Sequence, residues 1–155
     1  MTVLVFGSLN LDLVAYAKNL PALGQTVTGE KLLRFAGGKG LNQAIAASRS
    51  GAKVIMAGAL GNDSEGDFLF QILQDEKIDS RFISRLDIQT GLAVIEVSSD
   101  ALNRILIIPG ANAAMKFDPK FLSTPNLPKV ILAQLETPLA EVKKFIINAK
   151  QVGSI

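Results

Sequence analysis

Four polar side chains near the amino terminus could together bind a ligand that carries several hydroxyl groups. Asn10 and Asp12 are two residues apart in an alternating segment, so they lie on the same face of a predicted strand. Lys39 and Asn42 stand at the predicted start of a helix, within and just after a run of glycines. Carboxylates and amides that bind vicinal hydroxyls discriminate well, because a missing hydroxyl leaves them unpaired. An ordinary polar strand face is the alternative explanation for Asn10 and Asp12.

The glycine run Gly37-Gly38-Lys39-Gly40 would let a ligand approach the backbone at a helix N-terminus and adds one ammonium group. It is not a Walker loop, because Leu33 stands where the first glycine is required and Gly40 follows the lysine. It is not a dinucleotide-binding loop either, because Gln43 occupies the last glycine position. A ligand-binding turn and a simple helix-entry turn with a solvated lysine both stay open.

Glu136 directly follows a predicted buried strand at residues 130–133. Ligands of open α/β sheets bind at the carboxyl ends of the strands, which favours a binding role for this carboxylate. The alternative is that Glu136 caps the helix predicted to begin near Pro138.

The composition excludes several kinds of chemistry. The 155 residues include no cysteine and no histidine, which removes disulfides, thiolate nucleophiles, cysteine-based metal sites and every imidazole base. Acid–base chemistry is left to 14 Asp and Glu, 16 Lys and Arg, and hydroxyls. A net charge of +2 gives no reason to expect nucleic acid as a partner. With 48% hydrophobic residues and no signal peptide or membrane span, the sequence predicts one compact cytoplasmic domain.

The order of predicted elements is typical of an α/β fold. Buried strands are predicted at residues 2–6, 53–57 and 130–133, and helices at 41–50, 64–76 and about 138–150. The second helix is predicted to be capped by Ser64 with Asp67, and the third to pack through Leu139, Val142, Ile146 and Ala149. Alternating segments at 9–35, with short strands at 26–28 and 31–35, and at 91–108 predict a small second sheet with a turn at 99–101. A further helix start is predicted at Asp118.

Seven motifs, in order and spaced across essentially the whole chain, resemble the ribokinase family, also called the PfkB family of sugar kinases. They are Gly7-Ser8-Leu9-Asn10-Leu11-Asp12, Gly24-Gln25-Thr26-Val27-Thr28-Gly29, Ala36-Gly37-Gly38-Lys39-Gly40-Leu41-Asn42-Gln43-Ala44, Gly58-Ala59-Leu60-Gly61-Asn62-Asp63, Thr90-Gly91, Pro109-Gly110-Ala111-Asn112 and Gln134-Leu135-Glu136. Asn42-Gln43-Ala44, together with Asn10 and Asp12, is more similar to ribokinase than to fructokinase or adenosine kinase.

The resemblance implies a three-layer α/β sandwich with a small β-sheet lid, and ATP-dependent phosphorylation of the 5-hydroxyl of D-ribose. It implies that Asn10 and Asp12 bind ribose hydroxyls, that Gly38, Lys39 and Asn42 close over the sugar, and that Glu136 adds a polar contact. The strands within 9–35 and 91–108 would form the lid, which is also a homodimer interface. The apolar lid residues that face the sugar would be Ala93, Ile95, Ile105 and Ile107.

Length is the main departure from the family, whose members are much longer. We expect residues 1–155 to be the N-terminal part of one such domain, since a strand should follow the last helix. The missing half would hold the Gly-Ala-Gly-Asp segment with the catalytic base, and most of the sites for ATP, Mg²⁺ and a monovalent cation such as K⁺. No catalytic residue and no metal site is expected in the chain itself. The alternatives are another sugar or nucleoside kinase of the family, or a non-catalytic fragment that binds sugar or dimerises.

Overall fold

The computed structural model describes residues 1–123 and 128–155, and these residues form eight strands and three α-helices. The strands are β1 (Thr2–Phe6), β2 (Asn10–Ala17), β3 (Gly29–Gly37), β4 (Lys53–Gly61), β5 (Asp79–Leu86), β6 (Gly91–Ser98), β7 (Asn103–Ile108) and β8 (Val130–Ala133). The helices are α1 (Lys39–Arg49), α2 (Ser64–Asp75) and α3 (Leu139–Gln151). Short 3₁₀ turns occupy Gly110–Ala114 and Pro119–Leu122.

The larger sheet is parallel, in the order β5-β4-β1-β8. Its central strand β1 is apolar on both faces, and Leu4, Val5 and Phe6 are fully buried. Burial of successive residues requires cover on both faces of the sheet. The helices α1 and α2 pack on one face, and α3 with the two 3₁₀ turns packs on the other. The predicted three-layer α/β arrangement is therefore confirmed.

The smaller sheet, which we call the lid sheet, has the order β3-β2-β6-β7. Its strands β3 and β7 pair antiparallel with their neighbours, whereas β2 and β6 are parallel to each other. The predicted hairpin turn between β6 and β7 is present, and Ala101 takes the left-handed conformation there, with φ of 64°. The second sheet expected from residues 9–35 and 91–108 is confirmed.

Several predicted details are wrong. Residues 26–28 lie outside the strands, and β5 was not predicted. Asp63 rather than Ser64 caps α2, since its carboxylate accepts from the Gly66 N–H at 2.7 Å. Asp118 does cap a helical segment, but that segment is a single 3₁₀ turn.

The apolar face of α3 is also displaced from the predicted one. Phe145 is fully buried and stacks on Phe6 with ring centroids 4.8 Å apart. Ile146 and Leu139, both expected inside, are largely exposed. The helix α3 is rotated so that Phe145 faces the sheet, because the ring of Phe6 projects from β1 towards that position. A stacked aromatic pair stabilises the fold by more than the burial of its surface alone.

The outer edge of β8 is partly paired by the segment around Ile155. The Ile131 N–H donates to the Ile155 carbonyl at 2.8 Å, and the Ile155 N–H donates to the Lys129 carbonyl at the same distance. Ile155 thus lies beside β8 and satisfies part of the backbone groups on its outer edge.

Candidate functional site

The start of α1 lies against the connection between β1 and β2. Gly38 has φ of 89°, and a Cβ there would lie 2.8 Å from both the Ser8 carbonyl oxygen and the Asn10 nitrogen. Only glycine combines that backbone conformation with so close an approach. The Leu41 N–H then donates to the Ser8 carbonyl at 3.0 Å. The glycine turn therefore holds the helix end next to the segment that carries Asn10 and Asp12.

Four successive backbone N–H groups at the start of α1, those of residues 39–42, are already used within the protein. Lys39 donates to Glu136 Oε2 at 3.1 Å, Gly40 donates to Ser8 Oγ at 3.3 Å, and Asn42 donates to the Gly38 carbonyl at 2.9 Å. A phosphate cradle needs such groups free to point at the ligand. The turn consequently does not fit the triphosphate of a nucleotide, in agreement with the failed loop patterns.

Glu136 supplies the negative charge at this helix end. Its carboxylate accepts from the Ser8 hydroxyl at 2.7 Å and from the Lys39 backbone, and it pairs with the Lys39 ammonium. Burial alone would raise the pKa of Glu136, but the hydrogen bonds from Lys39 and Ser8 outweigh it and hold the pKa below its usual value. Glu136 does not cap α3, whose N-cap residue is Pro138 and has no side-chain cap. Glu136 is therefore held at the start of α1, its ligand-binding role stays a prediction, and Lys39 is ion-paired rather than simply solvated.

Asp12 lies on β2 opposite the end of β3. A Cβ built on Gly37 would fall 2.2–2.4 Å from its carboxyl atoms, so the carboxylate rests directly on the glycine backbone. Burial, and then the charge of Glu136, raise the pKa of Asp12. Among the hydrogen bonds of residues 1–123 and 128–155, the Asp12 carboxylate accepts none. Two carboxylates thus approach each other here. The charge of Glu136 is compensated by Lys39, whereas the Asp12 carboxylate accepts no hydrogen bond from the described residues.

A cavity of about 380 Å³ opens beside these groups. Asn10 and Glu136 lie in its wall, at the carboxyl ends of the parallel strands β1 and β8. The wall is completed by Ser8, Ile107, Pro109, Asn112, Ala113, Leu135, Thr137 and Pro138. A larger depression of about 500 Å³ lies at the opposite edge, around Thr2 and Lys53. We assign the site to the smaller cavity because ligands of α/β sheets bind at the carboxyl edge and the polar side chains converge there.

Among the described residues, Ile107 is the one predicted lid residue in the wall of this cavity. The other predicted residues lie outside that wall, and they are Asp12, Gly38, Lys39, Asn42, Ala93, Ile95 and Ile105. Asn42 is exposed on the same face of α1 as Lys39, one turn farther along. The strand register places Ala93 and Ile107 in one row with Asp12, and Ile95 and Ile105 in the next row on the same face of the lid sheet. Ala93 is buried, whereas Ile105 and Ile107 are half exposed. The lid residues therefore share a face with the Asp12 carboxylate.

Sequence reasoning missed three polar residues of the cavity. Ser8 bonds to Glu136, Asn112 bonds to Asn10, and the Thr137 hydroxyl is buried without a partner among the described residues. Ser8 and Asn112 both stand in motifs quoted above, which was the available signal. Their roles depend on contacts across more than 100 residues of sequence, so the motifs alone did not reveal them.

The comparison with known proteins agrees with this geometry. The sequence profile described as pfkB family carbohydrate kinase matches residues 1–149. The chain belongs to the pfkB family. It is 36% identical to the ribokinase of Haemophilus influenzae and 32% identical to the deoxyribokinase of Salmonella typhi, covering 98% and 99% of this chain. The solved structure of Arabidopsis thaliana ribokinase complexed with ribose and ATP superposes with a TM-score of 0.86 at 28% identity, covering 98% of this chain.

The chain spans about half the length of these relatives, 51% in each of the three comparisons. The profile match and the superposition together show the ribokinase-like fold and the carbohydrate kinase family for this chain.

In the described residues, no group of three or more acidic side chains is arranged to hold a metal ion. None of the described helices has the length and apolarity needed to cross a membrane.

Proposed function

We propose that this chain is the sugar-binding half of an ATP-dependent kinase that converts D-ribose to D-ribose 5-phosphate. The observation that carries the proposal is the placement of Asn10 and Glu136 in the wall of one cavity at the carboxyl edge of the parallel sheet, with Asp12 near enough to Glu136 for that charge to raise the pKa of Asp12. The similarity to a ribokinase over 98% of the chain supports ribose as the sugar.

In this proposal the polar side chains hold the sugar hydroxyls. Asp12 and Glu136 accept hydrogen bonds from hydroxyl groups, and the Lys39 ammonium orients Glu136. The apolar lid residues Ala93, Ile95, Ile105 and Ile107 cover the carbon face of the ring, and Asn42 and Gly38 close the side next to α1. Charge-assisted hydrogen bonds of this kind contribute about 1.5–3 kcal/mol each.

The rest of the kinase machinery is proposed from the family resemblance. The catalytic base, most of the ATP site, and the sites for Mg²⁺ and K⁺ would lie in a segment outside these 155 residues. Because the glycine turn does not fit a triphosphate, we derive no step of phosphoryl transfer from the residues described. With most of the charge-stabilising groups elsewhere, the chain alone would be nearly inert.

A homodimer through the lid sheet is part of the same proposal. The lid sheet exposes large apolar side chains on β3 and β7. They are Leu32, Leu33, Phe35, Ile105, Leu106 and Ile107. The strand register places Leu33, Phe35, Ile105 and Ile107 on the face that carries Asp12, and Leu32 and Leu106 on the opposite face. A second copy of the lid sheet would remove from water the group on the face that it covers.

A chimera tests the proposed function directly. This chain would be joined to the carboxyl-terminal half of the Haemophilus influenzae ribokinase and assayed for ATP-dependent phosphorylation of ribose. We expect activity with ribose, and Asp12→Ala should raise the KM for ribose while leaving that for ATP almost unchanged. A folded chimera that phosphorylates no pentose would refute the proposal. Equal effects of Asp12→Ala on both substrates would show that Asp12 supports the fold instead.

Deoxyribose is the second candidate substrate, because the Salmonella typhi deoxyribokinase matches 99% of the chain at 32% identity. The same chimera assayed with 2-deoxy-D-ribose distinguishes the two, through the ratio of kcat/KM values for the two sugars. For the isolated chain we expect weak ribose binding or none, since only one wall of the cleft is present. Micromolar affinity of the isolated chain by calorimetry would instead favour a sugar-binding module without catalysis.

A further inference from the structure

Asn112 connects the end of the lid sheet to the segment that carries the site. It lies in the 3₁₀ turn Gly110–Ala114 and is only 1% exposed. Its Oδ1 accepts from the Leu9 N–H at 3.0 Å. Its Nδ2 donates to the Leu9 carbonyl at 2.9 Å and to Oδ1 of Asn10 at 2.8 Å. The side-chain oxygen and both N–H groups of Asn112 are therefore used.

The chemistry of the backbone fixes which way each of these amides points. A backbone N–H can only donate and a carbonyl can only accept, so the Asn112 oxygen must face the Leu9 N–H and its NH₂ must face the Leu9 carbonyl. The second N–H of that NH₂ reaches Asn10, which must therefore turn its own oxygen towards Asn112. The Asn10 NH₂ group is left pointing the other way.

The Asn10 NH₂ group has the cavity as its remaining outlet. Asn10 is 5% exposed and lies in the cavity wall. Among the hydrogen bonds of the described part of the chain, its Nδ2 makes none. The space around the pair is tight, because a Cβ on Gly91 would lie 2.1 Å from Nδ2 of Asn112 and 2.3 Å from Oδ1 of Asn10. The space accepts an amide in either orientation, so the hydrogen bond with Asn112 decides which end of the Asn10 amide faces the cavity.

We propose that Asn112 is a positioning residue that locks the Asn10 amide with its NH₂ group towards the cavity. This inference rests on the proposed function and deepens it. The site then offers one fixed donor next to the acceptors Asp12 and Glu136. Such a set recognises a vicinal diol in which one hydroxyl accepts from Asn10 while a neighbouring hydroxyl donates to a carboxylate. A sugar without the hydroxyl that accepts from Asn10 leaves a buried donor unpaired and is rejected.

Side-chain amide NMR of the chimera, with this chain labelled with ¹⁵N, tests the orientation without any sugar. We expect the Asn112 NH₂ protons to exchange slowly with water and the Asn10 NH₂ protons to exchange rapidly. Asn112→Asp keeps the shape but replaces the NH₂ donor by a carboxylate oxygen, so Asn10 should turn its NH₂ inward and become protected. Slow exchange of Asn10 in the unaltered chain, or unchanged exchange in the folded variant, would overturn the inference.

Kinetics of the chimera test the consequence for the ligand. Asn112→Asp should raise the KM for ribose about tenfold, the equivalent of one hydrogen bond, without changing the KM for ATP. The unaltered chimera should discriminate against either 2-deoxyribose or 3-deoxyribose, whichever lacks the hydroxyl that accepts from Asn10. Asn112→Asp should reduce the preference for ribose over that sugar, measured as the ratio of kcat/KM values, by a similar factor. A general loss of stability would instead lower kcat and leave the preference between sugars unchanged, and that result would refute the discrimination.

Asn10→Asp provides a second variant in case Asn112→Asp does not fold. It retains an acceptor for Asn112 and presents an oxygen to the cavity, so it should reproduce the ribose defect while Asn112 stays protected from exchange. An unchanged KM for ribose in this variant contradicts the inference. Failure of the unaltered chimera to use any pentose, combined with the expected exchange pattern, would refute the proposed function and leave the orientation of Asn10 established.

Discussion

Gly37→Ala should weaken sugar binding while leaving the fold intact. The added Cβ would lie 2.2 Å from the nearest oxygen of Asp12, whereas ordinary contact begins at 3.4 Å. Gly37 has an ordinary negative-φ or extended backbone, so alanine adds no backbone strain there. The pressure therefore falls on the Asp12 side chain, which must move by about 1 Å to restore ordinary contact.

A displacement of this size is enough to break a hydrogen bond between Asp12 and a sugar hydroxyl. A hydroxyl about 2.7–2.8 Å from the carboxylate would be left about 3.7–3.8 Å away, which is beyond hydrogen-bond distance. Loss of one hydrogen bond to a charged group corresponds to about 1.5–3 kcal/mol, which is a factor of about 10 to 150 in affinity. We therefore expect the KM for ribose of the chimera to rise by that factor with the KM for ATP unchanged.

Gly29→Ala is the matched control on the same strand. A Cβ on Gly29 would meet only the Tyr16 carbonyl oxygen at 3.4 Å, which is ordinary contact. This variant should bind and phosphorylate ribose as the unaltered chimera does. An unchanged KM in Gly37→Ala, with circular dichroism and thermal midpoint like those of Gly29→Ala, would refute the assignment of Asp12 to the sugar site.

Four further predictions concern stability and assembly. Asp12→Asn should raise the thermal midpoint near neutral pH, because burial and the charge of Glu136 raise the pKa of Asp12. The gain should vanish below the usual pKa of 3.8. Glu136→Gln should lower the thermal midpoint near neutral pH, because hydrogen bonds from Lys39 and Ser8 stabilise the ionised carboxylate and lower its pKa. This loss should disappear as the pH falls through the lowered pKa of Glu136. Calorimetry between about pH 3 and pH 8 checks the direction of the change in both variants. Phe145→Ala should cost about 3–5 kcal/mol in urea unfolding, whereas Ile146→Ala at a half-exposed position should change it by less than about 0.5 kcal/mol. The isolated chain should associate or precipitate through its apolar lid sheet and the edge of β8; a sharp monomer peak in size-exclusion chromatography, with cooperative unfolding, would contradict this.

The sequence predicted best those elements that are continuous runs of apolar residues. The strands β1 and β8 are continuous apolar runs with no competing interpretation, and their predicted bounds match the structure. The strand β5 was missed because it is a polar edge strand with β4 as its one neighbour in the sheet, so its burial does not alternate. In α3, Phe145, Ile146 and Ile147 are consecutive apolar residues, and helical periodicity alone could not decide which of them is buried.

The site was predictable to the extent that its residues stand in local motifs. One turn joins β3 to α1 and packs against the start of β2. It therefore brings together four of the predicted residues, which are Asn10, Asp12, Gly38 and Lys39. The pairing of Lys39 with Glu136, and of Asn10 with Asn112, depends on how β8 and the end of β7 pack beside that turn. Such contacts are set by tertiary packing, and no local spacing encodes them.

The two carboxylates of the site differ in a way that bears on how a ligand would bind. Glu136 already has partners in the Ser8 hydroxyl, the Lys39 ammonium and the positive end of α1. Asp12 is partly buried and faces the like charge of Glu136, and its raised pKa shows that its ionised form is poorly stabilised in the free protein. A hydroxyl that replaces water at Asp12 therefore gains more than one that competes with Lys39 for Glu136. Affinity for a sugar should accordingly depend more on the hydrogen bond to Asp12 than on the hydrogen bond to Glu136.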